Sequence, residues 1–151
     1  MKRLHIGFTI IELVVVIMLT GILAVTVLPK FLGLQAFDDR GFHDSTLAAL
    51  RYAQKAAIAH RHTVCLSFSS TSVTATTASA APPSVNCDIN LGGPNGTNPY
   101  QVTARGASAY ARVPTAFNFS ALGRASIGQT IQVANVTQSI KVEAETGYVH
   151  E

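Results

Sequence analysis

The 151-residue chain has no tryptophan, two cysteines, two methionines and only 13% charged residues. Neither an HExxH pair nor a nucleophile elbow occurs, so zinc-protease and serine-hydrolase chemistry have no motif to stand on. No CxxC and no spaced Cys/His set occurs either, and no metal site or cofactor is expected. Ser, His and Asp are all present, and His60 and His62 flank an expected helix-to-strand junction. Two exposed histidines without a third partner read as surface, and the chain is expected not to be an enzyme. A strong charge bias is missing as well. Eleven Lys plus Arg face eight Asp plus Glu, and two of the eleven, Lys2 and Arg3, lie in the first seven residues. Without those seven the balance is nine against eight, too even for an electrostatically driven nucleic-acid binder.

What the chain does have is one long apolar run. From Phe8 to Leu28 it is interrupted by a single carboxylate, Glu12, and a helix of ~20 such residues spans a bilayer. A charge inside that span costs about 2.5–3.5 kcal/mol, which asks for a partner. Lys2 and Arg3 precede the run and would hold this end in the cytoplasm while the rest crosses. A secretory signal would have a core of ~7–15 residues followed by a cleavage site. Here the small residue, Gly7, comes before the apolar core.

Gly7, Phe8, Thr9, Ile10, Ile11 and Glu12, behind a short basic leader, resemble the N-terminus of type IV prepilins and type II secretion pseudopilins. The resemblance implies that a prepilin peptidase cuts between Gly7 and Phe8 and methylates the new amine of Phe8. It implies that Glu12 neutralises the terminal amine of a neighbouring subunit during assembly. Gly21 and Pro29 fall where such helices commonly carry Gly and Pro. The domain boundaries follow: leader 1–7, transmembrane and assembly helix 8–29, its continuation 30–60, and a β-rich domain 61–151. The implied partners are major and minor pilins and the inner-membrane assembly platform, with the C-terminal domain periplasmic.

Past the anchor, Leu47, Leu50, Gln54, Ala57 and Ile58 keep spacings of three and four, and Ala49, Ala53 and Ala56 favour a helix to His60. Run without a break from Phe8, that helix would be ~80 Å long, bent near Pro29 and Gly33. Asp38, Asp39, Arg40 and Asp44 read as a solvated face, with Arg51 and Lys55 on the exposed side. From His62 the period becomes two: Val64, Leu66 and Phe68 alternate with polar residues, a half-buried strand. The segment around Val73 is its expected hairpin partner. Residues 78–99, rich in Ala, Pro, Gly, Ser and Asn, read as a long irregular connection. Val113, Phe117 and Phe119, then Ile131 and Val133, then Ile140, Val142 and Ala144 read as further strands, with a turn at 135–138 and a short closing strand at Val149. The expected class is α+β, a long N-terminal helix lying on a small antiparallel sheet.

Cys65 and Cys87 fall on the expected translocated side, where disulfides persist. A bridge across 22 positions and a pair of buried thiols are both open readings. The bridge would contribute about 3 kcal/mol.

The later segments AALRYAQKAAIAHRHTVCLSF, FNFSALGRAS and KVEAETGYV are similar to H-type minor pseudopilins and FimT-like minor pilins, most of all to those of an MSHA-type pilus. Some FimT-like proteins bind extracellular DNA through a Gly-Arg-x-Arg turn. This chain has Gly123, Arg124, Ala125 and Ser126, so the second arginine is absent. Arg105 and Arg112, with Tyr100 and Tyr110 nearby, could supply phosphate contacts and base stacking instead. Asn-x-Ser/Thr triplets at Asn95, Asn118 and Asn135 are taken as chance.

Overall fold

The computed structural model describes residues 8–32 and 34–151, without the side chains of 25–32. It divides into two compact units, one ending at Leu34 and one spanning Gln35–Glu151. The expected leader, with Lys2, Arg3 and Gly7, lies outside the described residues.

The first unit is helix α1, Ile10–Leu32. Pro29 is carried within it. Thr9 caps its start: Glu12 N–H donates to Thr9 Oγ1 at 3.3 Å, and Leu13 N–H donates to the Thr9 carbonyl. From Phe8 to residue 24 every side chain is exposed, with the large apolar ones between 39 and 84% accessible. The Thr20 hydroxyl donates back to the Val16 carbonyl at 2.9 Å, so it needs no outside partner. Among the described residues no helix is long and apolar enough to cross a membrane.

The second unit is an α+β domain. Helix α2, Leu34–His60, buries Phe42, Thr46, Ala49, Leu50, Ala53, Ala56 and Ala57 along one stripe. The spacing is that of a helix facing a core, and four alanines in the stripe let the backbone approach the sheet closely. The helix stops without glycine or proline. Arg61 takes a left-handed φ of 56°, His62 N–H donates to the Ala57 carbonyl and Arg61 N–H to that of Ile58. These two bonds make a Schellman cap.

Eight strands follow: β1 Val64–Phe68, β2 Ser72–Thr77, β3 Ile89–Asn90, β4 Tyr100–Thr103, β5 Phe117–Phe119, β6 Gln129–Gln132, β7 Ser139–Val142 and β8 Val149–His150. The larger antiparallel sheet runs β3-β2-β1-β5, with β4 also pairing on β2, and the smaller runs β6-β7-β8. Val64, Leu66, Val73, Ala75, Phe117 and Phe119 point inward onto α2, while Ile131, Ile140, Val142 and Val149 bring the second sheet into the same core. Isolated bridges at Tyr110–Val133 and Phe119–Ala125 lie outside the named ladders.

Four expectations fail here. Ala144 is not in a strand but in the turn after β7, whose pairing ends at Val142. Val113 is not in a strand but half-exposed in a loop, because Pro114 beside it cannot donate to a ladder. Residues 78–99 are not wholly irregular, since β3 adds to the edge of β2. Asp39 is not on a solvated face: it is only 2% exposed, turned inward with Phe42 and His43.

Candidate functional site

Thr9 and Glu12 stand as the first and fourth residues of a capping-box pattern, Thr-x-x-Glu. Glu12, expected from the resemblance to meet a neighbouring subunit's amine, sits at the third position of a helix, where the helix dipole favours an acid. Its neighbours on α1 are exposed aliphatic side chains around the whole circumference. Phe8, the expected new N-terminus, is 77% exposed one residue before the cap.

Cys65 and Cys87 are joined in a disulfide. Cys65 sits mid-strand in β1, opposite Thr76 on β2 and Asn118 on β5. Cys87 lies in the loop leading to β3, so the bridge anchors that loop to the central strand. Thr63 Oγ1 adds a bond to the Ser84 carbonyl at 2.8 Å. Reduction, or replacement of both cysteines by alanine, should lower unfolding free energy by about 3 kcal/mol. Urea titration with and without reductant reads this, and an unchanged midpoint would show that the loop is held without it.

The arginines grouped above are in separate surroundings. Arg124 pairs with Glu145. Arg105 lines a groove of about 750 Å³ with Phe37, Asp38, Tyr100 and Gln101. Arg112 lies beside Val113, Pro114 and Gln129. Tyr110 is only 5% exposed: its hydroxyl lies 3.1 Å from Thr46 Oγ1, its ring packs on Phe42 and Phe68, and burial pushes its pKa up to about 12. It cannot stack on a base. Tyr100 is half-buried, edge-on to Tyr52.

His62 Nδ1 lies 2.7 Å from the Ala78 carbonyl, which assigns it to fixing the start of the 78–99 connection. Arg51, for which the sequence suggested no role, donates Nε–H to the Val149 carbonyl at 3.1 Å, tying β8 to the helix.

Asp39 is the centre of a polar cluster missed in the sequence. Ser108 Oγ donates to its Oδ1 at 2.6 Å and Gln35 Nε2 to the same oxygen at 2.7 Å. Asn135 Nδ2 donates to Oδ2 at 3.1 Å. The Ser108 hydroxyl is the main cause of a depressed Asp39 pKa, with burial opposing it and Asn135 and Gln35 assisting. Every donor is already engaged, so the cluster is a structural clasp joining α2 to the 105–108 loop and the β6–β7 turn.

Compared with protein-family models, curated proteins and solved structures, the chain shows no match.

Proposed function

We propose that the chain is a minor pilin or pseudopilin, a structural subunit that primes or caps a type IV pilus of MSHA type or a type II secretion pseudopilus. The observation that carries the reading is α1 from Ile10 to residue 24: mostly large apolar side chains, all of them exposed, with one acid at the start. A helix apolar on all sides is stable only when covered by lipid or by other apolar helices. The sequence extends that character from Phe8 to Leu28, which supports insertion in the inner membrane with the N-terminus cytoplasmic, followed by transfer into a filament's helical bundle. The basic leader and Gly7 before Phe8 support cleavage and N-methylation by a prepilin peptidase. The α+β domain would then be periplasmic and contact sister subunits.

Glu12 combines a place in a capping-box pattern with a negative charge, and one pair of substitutions separates the two. Glu12→Gln keeps a side chain able to complete a capping box but removes the charge. Glu12→Ala removes both. With a charge-dependent contact to a neighbour's amine, both variants should enter filaments at least about tenfold less, since a close desolvated charge pair is worth ~1.5 kcal/mol or more. Crosslinking in the native membrane, with mass spectrometry of the bound subunits, measures this. Normal incorporation of Glu12→Gln would remove the assembly role of the charge.

A further inference from the structure

Three ligating side chains converge one turn of α2 beyond Asp39, His43 and Asp44 on the helix and Glu151 just past β8. His43 Nδ1 lies 3.2 Å from Asp44 Oδ1 and 3.7 Å from Glu151 Oε1, and the three atoms all lie within 4.8 Å of one another. The imidazole is 2% exposed, whereas both carboxylates reach solvent. Asp44 and Glu151 have no ion-pair partner other than His43 among the described residues.

We propose that His43, Asp44 and Glu151 bind one divalent transition-metal ion of the zinc type. The donor set is one nitrogen and two carboxylates. Two negative charges and a neutral ring suit a dication, and the nitrogen disfavours calcium, which takes six to eight oxygens. Zinc holds nitrogen and oxygen ligands at ~2.0–2.2 Å, so neighbouring donors of a tetrahedral site stand ~3.3–3.5 Å apart. The two distances from His43 bracket that value, and a small inward movement of the exposed Glu151 completes the set. With three protein ligands the fourth position is left to water or to a donor from another molecule.

The tautomers of His43 bear on how strongly the site can bind, since an Nδ1–H form already satisfies Asp44 without a metal. His43 Nε2 is buried with no hydrogen-bond partner among the described residues. A proton on Nδ1 satisfies Asp44 and leaves the Nε2 lone pair bare. A proton on Nε2 leaves the Nδ1 lone pair facing two carboxylate oxygens, three acceptors with nothing between them. A metal ion on Nδ1 resolves that repulsion. The Nε2–H it requires has no acceptor, where a ligating histidine ordinarily has one, so affinity should be micromolar rather than that of a closed structural site.

Arg51 and Lys55 line the surface hollow beside Asp44, but neither forms an ion pair with it among the described residues. Arg51 is engaged by Nε at the Val149 carbonyl. His150 lies 3.3 Å from Glu143 and stacks on Tyr148.

The test is titration of zinc chloride into the metal-free full-length protein in detergent micelles, followed calorimetrically, with cobalt(II) absorption as a second readout. One saturable site is expected, weakened at least tenfold by Asp44→Asn and by Glu151→Gln. Both of those residues are on the surface, so the fold should survive, and circular dichroism checks it. His60→Ala with His62→Ala should leave binding unchanged. Absence of saturable binding would overturn the proposal. So would unaltered affinity in both carboxylate variants, or loss of binding in the His60/His62 variant.

Discussion

Gly147→Ala should lower the stability of the Gln35–Glu151 domain by more than about 3 kcal/mol, placing it among the rare large effects of single substitutions. Gly147 closes the β7–β8 turn with φ of 66° and donates its N–H to the Glu143 carbonyl at 2.8 Å. A methyl group there would overlap the Gly123 carbonyl oxygen, which is backbone and cannot step aside, and would press on Gln54 Nε2. That amide holds two turns to the helix, donating to the Gly123 and Thr146 carbonyls at 3.1 Å each. One added carbon thus forces an unfavourable backbone region and breaks a three-way junction. Gly41→Ala is the matched control. Gly41 sits inside α2 with nothing near its missing Cβ, so the same change should stabilise by about 0.5–1 kcal/mol. Urea midpoints of the two full-length variants should move in opposite directions. A small shift for Gly147→Ala would mean that the turn can repack.

Asp39→Ala is the second large effect, at about 4 kcal/mol. Bonds to a charged acceptor are worth ~1.5–3 kcal/mol each, and water recovers only part of the loss for the three donors left behind. The same carboxylate predicts a pH dependence. Its pKa is lower in the folded state than in the unfolded chain, where Asp titrates near ~3.9. The folded protein therefore holds this proton less tightly. The contribution is full above the unfolded value and disappears as pH falls through the folded value. Stability measured down an acid titration should drop more steeply in the wild type than in Asp39→Asn. Parallel curves would exclude Asp39 as a source of the acid loss.

Much of this domain could be read before the structure. The stripe Leu50, Ala53, Ala57 marked α2, and alternation at Val64, Leu66 and Phe68 marked β1, because each has a face buried against a continuous core. The Asn135 turn was legible from composition, and Asn135 indeed adopts φ of 60°. Asp39 was not, because in sequence it looks like its neighbours Asp38 and Arg40. What distinguishes it are donors 69 and 96 residues away, a tertiary fact with no local trace. Strand β4 was hidden for a related reason: four residues after a Pro/Gly-rich loop carry too short a period, and their strand state rests on pairing with β2. The proximity of His43, Asp44 and Glu151 was also out of reach, since metal-ligand spacing rules describe local motifs while this set joins α2 to the residue after β8. The Thr9-x-x-Glu12 box is the opposite case. Its signal was present in four residues, but the apolar run drew attention to the charge and away from the cap.

The Cys65–Cys87 bridge has a mechanical consequence. A force applied along the chain passes from one sulfur to the other and bypasses the 22-position ring between them. Extended, that ring would contribute ~75 Å of contour length; bridged, it contributes none. Strand β2, the loop behind it and their hydrogen bonds to β1 are therefore shielded from direct stretching, and the domain yields less length under load than its residue number suggests. Reduction would return that slack and make the domain more extensible under the same load.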